Sequence, residues 1–252
     1  MKRFYVICVN ILITLSAFAV EDAATLEKEA AQQYQAGDYA KAIESYTQIL
    51  SGNQESADIY YNLGNAYYKT GNMAKAILNY ERALLLRPGD KDVKYNLAMA
   101  QRNTVDDIKV LPELFLVRWY NALVTTLTTD QWAYISVFLF LCFLVMAVVF
   151  FHATSITVKK LGFTTGIIFL FLTGMTILFA SKQNARMVAR NDGIVMTPSV
   201  IVRGAPNDSG TELFVIHEGL KVQVVDSLGE WYNIRLADGN EGWIPQLDVE
   251  KI

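Results

Sequence analysis

Tyr61, Asn65 and Tyr68 stand at helical spacing, and Tyr95, Met99 and Arg102 occupy the same relative positions thirty-four residues later. The chemistry open to these types is recognition. Aromatic rings supply contact area at low entropy cost, while Asn65 and Arg102 can fix a peptide backbone or a terminal carboxylate. Material for bond-making chemistry is thin. The two histidines, His152 and His217, lie at the end of an apolar run and in a β-rich run, so no histidine cluster is available to hold zinc. Cys8 belongs to a leader-like segment and Cys142 to an apolar stretch, which offers no disulfide. "GNAYYKTGN" has neither the spacing nor the Gly-Lys-Ser/Thr pair of a phosphate-binding loop. The chain therefore reads as a non-enzyme, with no catalytic residue, no metal site and no cofactor.

The elements that position the six candidates follow from self-similarity. "YNLGNAY" at Tyr61 returns as "YNLAMA" at Tyr95, and "AKAIESYTQIL" (40–50) returns as "AKAILNYERAL" (74–84), again thirty-four residues apart. Each copy of the latter follows a turn signal, "AGDY" at 36–39 and "TGNM" at 70–73, so each unit reads helix, Gly turn, helix. Such a unit must stack on a neighbour to cover its apolar face. In the second unit, 57–90, Gly64 and Ala76 allow close helix approach and Pro88 ends the second helix. With Tyr60, Leu63, Gly64, Tyr67, Ala76, Tyr80, Ala83 and Pro88 in place, this unit resembles the tetratricopeptide repeat. The first unit, 23–56, is a degenerate copy, with Glu29 and Gln54 off the pattern. The third keeps Leu97 and Ala98 on one helix, read as a cap, before departing at "NTVDDIK". The resemblance implies that the first helix of each unit lines a concave face, making Tyr61, Asn65, Tyr68, Tyr95, Met99 and Arg102 a partner-binding groove. Glu27 and Ala31 stand where a carboxylate clamp would want Lys and Asn, so that ligand is not expected. The alternative is that the six are simply solvated.

Composition points elsewhere. The chain has 252 residues, 52% hydrophobic, and a mean hydropathy of +0.22. "WAYISVFLFLCFLVMAVVFF" (132–151) and "LGFTTGIIFLFLTGMTILFA" (161–180) carry no charge, and a helix of about twenty residues crosses the hydrocarbon of a bilayer. A connector at 152–160 makes them a transmembrane hairpin, and Gly162 and Gly166 form a G-x-x-x-G suited to close packing of the helices. Before the hairpin, 112–128 places Leu116, Trp119, Tyr120, Leu123 and Leu127 on one side of a helix. It reads either as an interfacial lead-in or as a helix packed on the repeats. Lys2 and Arg3, an apolar run to Ala19, and acidic Glu21 and Asp22 give the layout of a signal peptide over 1–19. An uncleaved anchor would serve equally. Either version leaves the repeats outside the cytoplasmic membrane, and two crossings return the C-terminal domain to that side. Lys159 and Lys160 fit a cytoplasmic connector, whereas Lys182, Arg186 and Arg190 run against this orientation.

From 191 to 252 the chain changes to short β runs, with a Gly-rich turn at "ADGNEG" (237–242). Val202, Arg203, Pro206, Gly219, Trp231, Gly239, Gly242, Trp243 and Pro245, with the "GWIP" ending, resemble the bacterial SH3 domain. Trp231 and Trp243 are expected in barrel core and rim. Ten acidic against four basic residues in this segment argue against a nucleic-acid partner.

The expected architecture is thus multi-domain. It comprises a signal peptide (1–19), an all-α tetratricopeptide superhelix (23–104), an interfacial helix (112–128), transmembrane helices (131–151 and 161–180) and a small all-β SH3-like barrel (191–252). This order of parts resembles the BatE-type proteins of aerotolerance operons. The resemblance implies a membrane-anchored protein-interaction scaffold in the bacterial inner membrane, with both soluble domains periplasmic. It further implies assembly with von Willebrand factor A membrane proteins and a MoxR-type ATPase in envelope function or stress tolerance. The repeats would hold protein partners, membrane proteins of the same assembly, and the barrel an envelope polymer or protein. A rival is a cell-wall-binding accessory of a peptidoglycan enzyme. A small transporter subunit would need polar groups at membrane depth, where the spans offer only Ser136, Thr164, Thr165, Thr173 and Thr176.

Overall fold

Gly37 and Gly71 turn the chain identically, each at φ 81°. The left-handed conformation that favours glycine is thus used at the same point of two successive units. The hydrogen bonds repeat with it. Asp38 N and Asn72 N donate to the carbonyls of Gln33 and Tyr67, and Gly37 N and Gly71 N to those of Tyr34 and Tyr68. Asp38 Oδ1 then accepts from Lys41 N, and Asn72 Oδ1 from Lys75 N, capping the second helix of each unit. The thirty-four-residue period is therefore a period of turn chemistry as well as of apolar faces.

The structure is a computed structural model that describes residues 24–52, 55–108, 111–112 and 114–252. The predicted signal peptide over 1–19, with Cys8, lies outside the described residues, as does Gln54. The repeats comprise α1 (24–35), α2 (Tyr39–Ser51), α3 (Ala57–Lys69), α4 (Met73–Leu86) and α5 (Lys91–Gln101). Ala30, Ala42, Tyr46, Ile49, Ile59 and Leu63 form the seam between the first units. Gly64 sits where a Cβ would come within 2.7 Å of the Tyr80 ring, so α3 and α4 close to a distance that only glycine permits.

The C-terminal segment folds as seven antiparallel strands around one core: β1 (Asp192–Val195), β2 (Ser199–Arg203), β3 (Glu212–His217), β4 (Lys221–Leu228), β5 (Trp231–Arg235), β6 (Glu241–Pro245) and β7 (Val249–Lys251). Their order in the sheet is β3-β2-β6-β5-β4-β1-β7. Val195, Val200, Val202, Ile216, Val222, Ile234, Leu236, Ile244 and Val249 fill the centre. Trp231 and Trp243, expected in core and rim, are both half-buried and stand outside this core, so the rim part of that expectation holds and the core part does not. The core positions are aliphatic and β-branched, so the indoles are left to the rim.

The barrel and the repeats belong to one compact unit. Lys221 Nζ reaches Glu81 Oε2 at 2.8 Å and Asp192 Oδ2 at 3.1 Å. Arg82 Nη2 binds Glu250 Oε1 at 3.0 Å and the Lys251 carbonyl at 2.8 Å. Asp106 accepts from the His217 backbone N–H at 2.6 Å and lies 2.8 Å from its Nδ1. Ile108 packs against the barrel core. Burial alone lowers the Lys221 pKa, but Glu81 and Asp192 outweigh it and hold the ammonium above its ordinary range.

The second unit contains α6 (Phe115–Val124), α7 (Thr129–His152) and α8 (Ile156–Ala189). Helices α7 and α8 are each long and apolar enough to cross a membrane. Two expectations change. The connector is not the nine-residue stretch 152–160 but Ala153, Thr154 and Ser155, because Lys159 N already donates to the Ser155 carbonyl and α8 begins at Ile156. The basic residues Lys182 and Arg186 continue α8 beyond the apolar stretch, since Lys, Gln, Ala, Arg and Met are good helix formers. Helix α6 packs on α7 and α8, where Tyr120, Leu123, Val124 and Leu127 meet Trp132 and Phe179. Trp132 Nε1 donates to the Val124 carbonyl at 3.0 Å, and a Thr128–Gln131 capping box starts α7.

Charge reversal at Glu81 tests the joint between barrel and repeats. Glu81→Lys sets two ammonium groups together and should cost about 1–2 kcal/mol, between the surface and buried limits for ion pairs. Faster amide hydrogen exchange in β1 and α4 would report it. Adding Lys221→Glu should restore protection only in part, because Asp192 also faces that position.

Candidate functional site

The repeats form an open cavity of about 340 Å³ lined by Tyr34, Tyr61, Asn65, Tyr68, Lys69, Tyr80, Tyr95, Asn96 and Met99. Helices α1, α3 and α5, the first of each unit, supply eight of the nine, and α4 supplies Tyr80. Five of the six residues read from the sequence meet there: Tyr61, Asn65, Tyr68, Tyr95 and Met99. Arg102 does not line the cavity. Helix α5 ends at Gln101, leaving Arg102 in an exposed turn with its Nη1 3.9 Å from the Met99 sulfur.

Asn65 has a defined role inside the protein. Its Oδ1 accepts from the Tyr80 hydroxyl at 2.8 Å and from Asn96 Nδ2 at 2.8 Å, and Asn96 Nδ2 lies 3.1 Å from the Tyr61 hydroxyl. This network ties α3, α4 and α5 together at the floor of the cavity. Burial pushes the Tyr80 hydroxyl well above the ordinary tyrosine range of 10.0, with smaller contributions from Tyr61, Tyr34 and Tyr68. The Tyr34 hydroxyl is also raised, by burial first.

Tyr34, Lys69, Tyr80 and Asn96 escaped the sequence reading. Tyr34 was legible, since it is the counterpart of Tyr68 one period earlier. Asn96 repeats Asn62 in the shared "YNL" phrase. Tyr80 stands at a repeat signature position, and its ring is buried against Gly64 while its hydroxyl reaches Asn65.

In the hairpin, Gly162 and Gly166 both face α7 and are buried. A Cβ at Gly162 would come within 3.2 Å of the Met146 carbonyl oxygen and 3.3 Å of Phe150 N, whereas at Gly166 the nearest atom is Met146 Cβ at 3.5 Å. Gly162 is therefore the tight contact. Of the histidines, His152 has Nδ1 3.1 Å from the Val148 carbonyl oxygen at the end of α7, and His217 is engaged by Asp106. Cys142 is a free, half-buried thiol of α7.

Comparison with known proteins agrees with this division of the chain. Residues 28–92 and 63–104 match the family model for the tetratricopeptide repeat, and residues 198–250 match that for the bacterial SH3 domain. The curated proteins contain no match. Among solved structures, the chain is similar to the crystal structure of the Sgt2 TPR domain from Aspergillus fumigatus, at 16% identity, over 67% of this chain and 82% of that chain, with a TM-score of 0.30. The protein thus joins tetratricopeptide repeats, a pair of apolar helices and a bacterial SH3 domain. Repeats and barrel are both modules that bind proteins or polymers, and no catalytic family is indicated.

Gly162→Leu should lower the thermal stability of the detergent-solubilised protein by about 1–3 kcal/mol through overpacking, with Gly166→Ala near neutral. In the repeats, a tyrosine whose pKa is raised by folding stabilises fully below its unfolded pKa, and that stability is lost as pH rises through the folded value. Helicity should therefore fall as pH climbs above 10.0, and Tyr80→Phe should flatten part of the fall seen by circular dichroism. That variant loses one hydrogen bond, costing about 1 kcal/mol at neutral pH.

Proposed function

We propose that this protein is a membrane-anchored scaffold whose repeats hold a protein partner on the extracytoplasmic face. The observation that carries the reading is the tyrosine-lined cavity on a repeat domain that also packs against the barrel. Residues 24–84, 91–108 and 191–252 fall in one unit although α7 and α8 intervene. Two crossings by those helices return the chain to its starting side, as that packing demands. The leader-like composition of 1–19 supports the outside for both domains.

Two of the three basic residues that run against this orientation, Lys182 and Arg186, have local partners on α6. Lys182 Nζ sits 5.3 Å from the centre of the Tyr120 ring, and Arg186 Nη2 donates to Asn121 Oδ1 at 3.1 Å. They join α8 to α6, a reason for being there that is independent of topology. On α6, Phe115, Leu116 and Trp119 are exposed and suit the headgroup boundary, so this helix serves as an interfacial foot.

The order of parts, resembling BatE-type aerotolerance proteins, suggests partners among the von Willebrand factor A membrane proteins and a MoxR-type ATPase, in envelope function or stress tolerance. A second reading, a wall-binding accessory of a peptidoglycan enzyme, draws on the bacterial SH3 match and on the exposed Leu228 and Leu247 of the barrel. Co-sedimentation of the full-length protein with purified peptidoglycan would favour it.

The test of the scaffold is a detergent pull-down of the intact protein beside a Tyr68→Ala, Tyr95→Ala double variant. These side chains line the cavity without entering the Asn65 network, so helicity should be kept. Membrane proteins that co-purify with the intact chain and drop about tenfold or more with the variant are expected, as for loss of aromatic anchors. Equal recovery with both would refute the cavity as the working surface.

A further inference from the structure

We infer that the junction of α6 and α8 binds the headgroups of anionic phospholipids, an assignment that rests on α7 and α8 crossing a membrane with α6 as their interfacial foot. The basic side chains there lack acidic partners. Lys182 Nζ sits over the Tyr120 ring and Arg186 Nη2 donates to the neutral Asn121, while Arg118 is exposed one turn before Asn121 on α6. Among the described residues, none of the three pairs with a carboxylate. On the barrel, by contrast, Arg203, Lys221 and Arg235 each face one, from Glu212, Glu81 and Glu241. From 110 to 190 the chain carries six basic residues against two acidic ones, although the whole protein has a net charge of −3. The excess positive charge belongs to the membrane segment and is left uncompensated there.

Depth selects the occupant. At about 1.5 Å per residue, Lys182 and Arg186 stand about 3 and about 9 Å beyond Ala180, where the apolar stretch of α8 ends. Headgroups fill a layer of about 5–8 Å on each side of the hydrocarbon, so these two cations bracket the phosphates. Helix α6 is held at the same level, because Tyr120 packs on Phe179 with ring centres 5.7 Å apart and also lies under Lys182. Around Arg118, the side chains of Phe115, Leu116 and Trp119 are exposed and suit the boundary between acyl chains and headgroups. A phospholipid offers both halves of the match, phosphate for the cations and hydrocarbon for the apolar face. A zwitterionic headgroup brings its own ammonium and adds no net negative charge, whereas an anionic one compensates Arg118, Lys182 and Arg186.

The experiment places the full-length protein in nanodiscs of phosphatidylcholine and phosphatidylglycerol, with bromine on the acyl chains of one lipid or the other at equal fraction. Quenching of Trp119 is read as the part of the emission that Trp119→Phe removes. The anionic lipid is expected to be enriched at Trp119 by about fivefold or more, and the enrichment should shrink in high salt. An Arg118→Gln, Lys182→Gln, Arg186→Gln variant should bring it to about one. Arg118→Gln alone, which removes no contact within the protein, should lower it about twofold or more, and guards against misfolding of the triple variant. Equal quenching by the two lipids would overturn the proposal and leave α6 in the interface, and an anionic preference unchanged by the triple variant would overturn it too. Quenching by neither lipid would take α6 off the bilayer, and the interfacial foot would fall with the proposal. If the preference is absent while the triple variant loses co-purifying membrane proteins, the cluster is a protein contact and the lipid assignment is wrong.

Discussion

An open antiparallel sheet has two edges, and each exposes backbone groups that seek a partner. Here β3 and β7 are those edges, and a side chain from the repeat segment reaches each. Asp106 takes the His217 N–H on β3, and Arg82 donates to the Lys251 carbonyl on β7. Between them Lys221 meets Glu81, and Gly219, at φ 84°, lets the β3–β4 turn come close to Ile77 and Thr104. Much else depends on this joint. It holds the two domains in one compact unit, and it commits the outer face of α4 to the barrel while the tyrosine cavity opens elsewhere on the repeats.

The division of labour within the repeats follows from geometry. Small residues, Ala76 and Gly64 above all, bring α3 and α4 together, and Tyr80 then spans from that contact to Asn65. The buried Tyr80 hydroxyl and the Asn96 amide both donate to Asn65 Oδ1, which ties three helices together at the floor of the cavity. Rigidity at the floor leaves the Tyr34, Tyr61, Tyr68 and Tyr95 rings as a preformed wall. Preformed aromatic surface loses little entropy on binding.

What could be read from the sequence was whatever repeats or runs. The thirty-four-residue interval exposed the helices, both Gly turns and most of the cavity, and the uncharged stretches exposed α7 and α8. What could not be read depends on pairing between distant residues. Glu81 and Lys221 stand 140 residues apart, and Asp106 and His217 stand 111 apart, with nothing local to announce either pair. "NTVDDIK" looked like the place where the repeat pattern dissolves, and it is where the chain turns to grip the barrel through Asp106 and Ile108. Arg102 lies off the cavity lining for a related reason: period predicts position on a helix, but not where α5 ends.

The hairpin carries its polar groups in a way that bears on function. Thr164, Thr165, Thr173 and Thr176 donate their hydroxyls to the carbonyls of Lys160, Leu161, Phe169 and Leu172, each one turn back along α8. Ser136 does the same locally on α7, to the Ala133 carbonyl. A hydroxyl satisfied by its own helix makes no demand on lipid and offers no stepping stone to a solute. Gly162 meanwhile draws α8 onto the α7 backbone. Helices whose hydroxyls in the apolar stretches bond back to their own turns and that close on one another through glycine are suited to hold position.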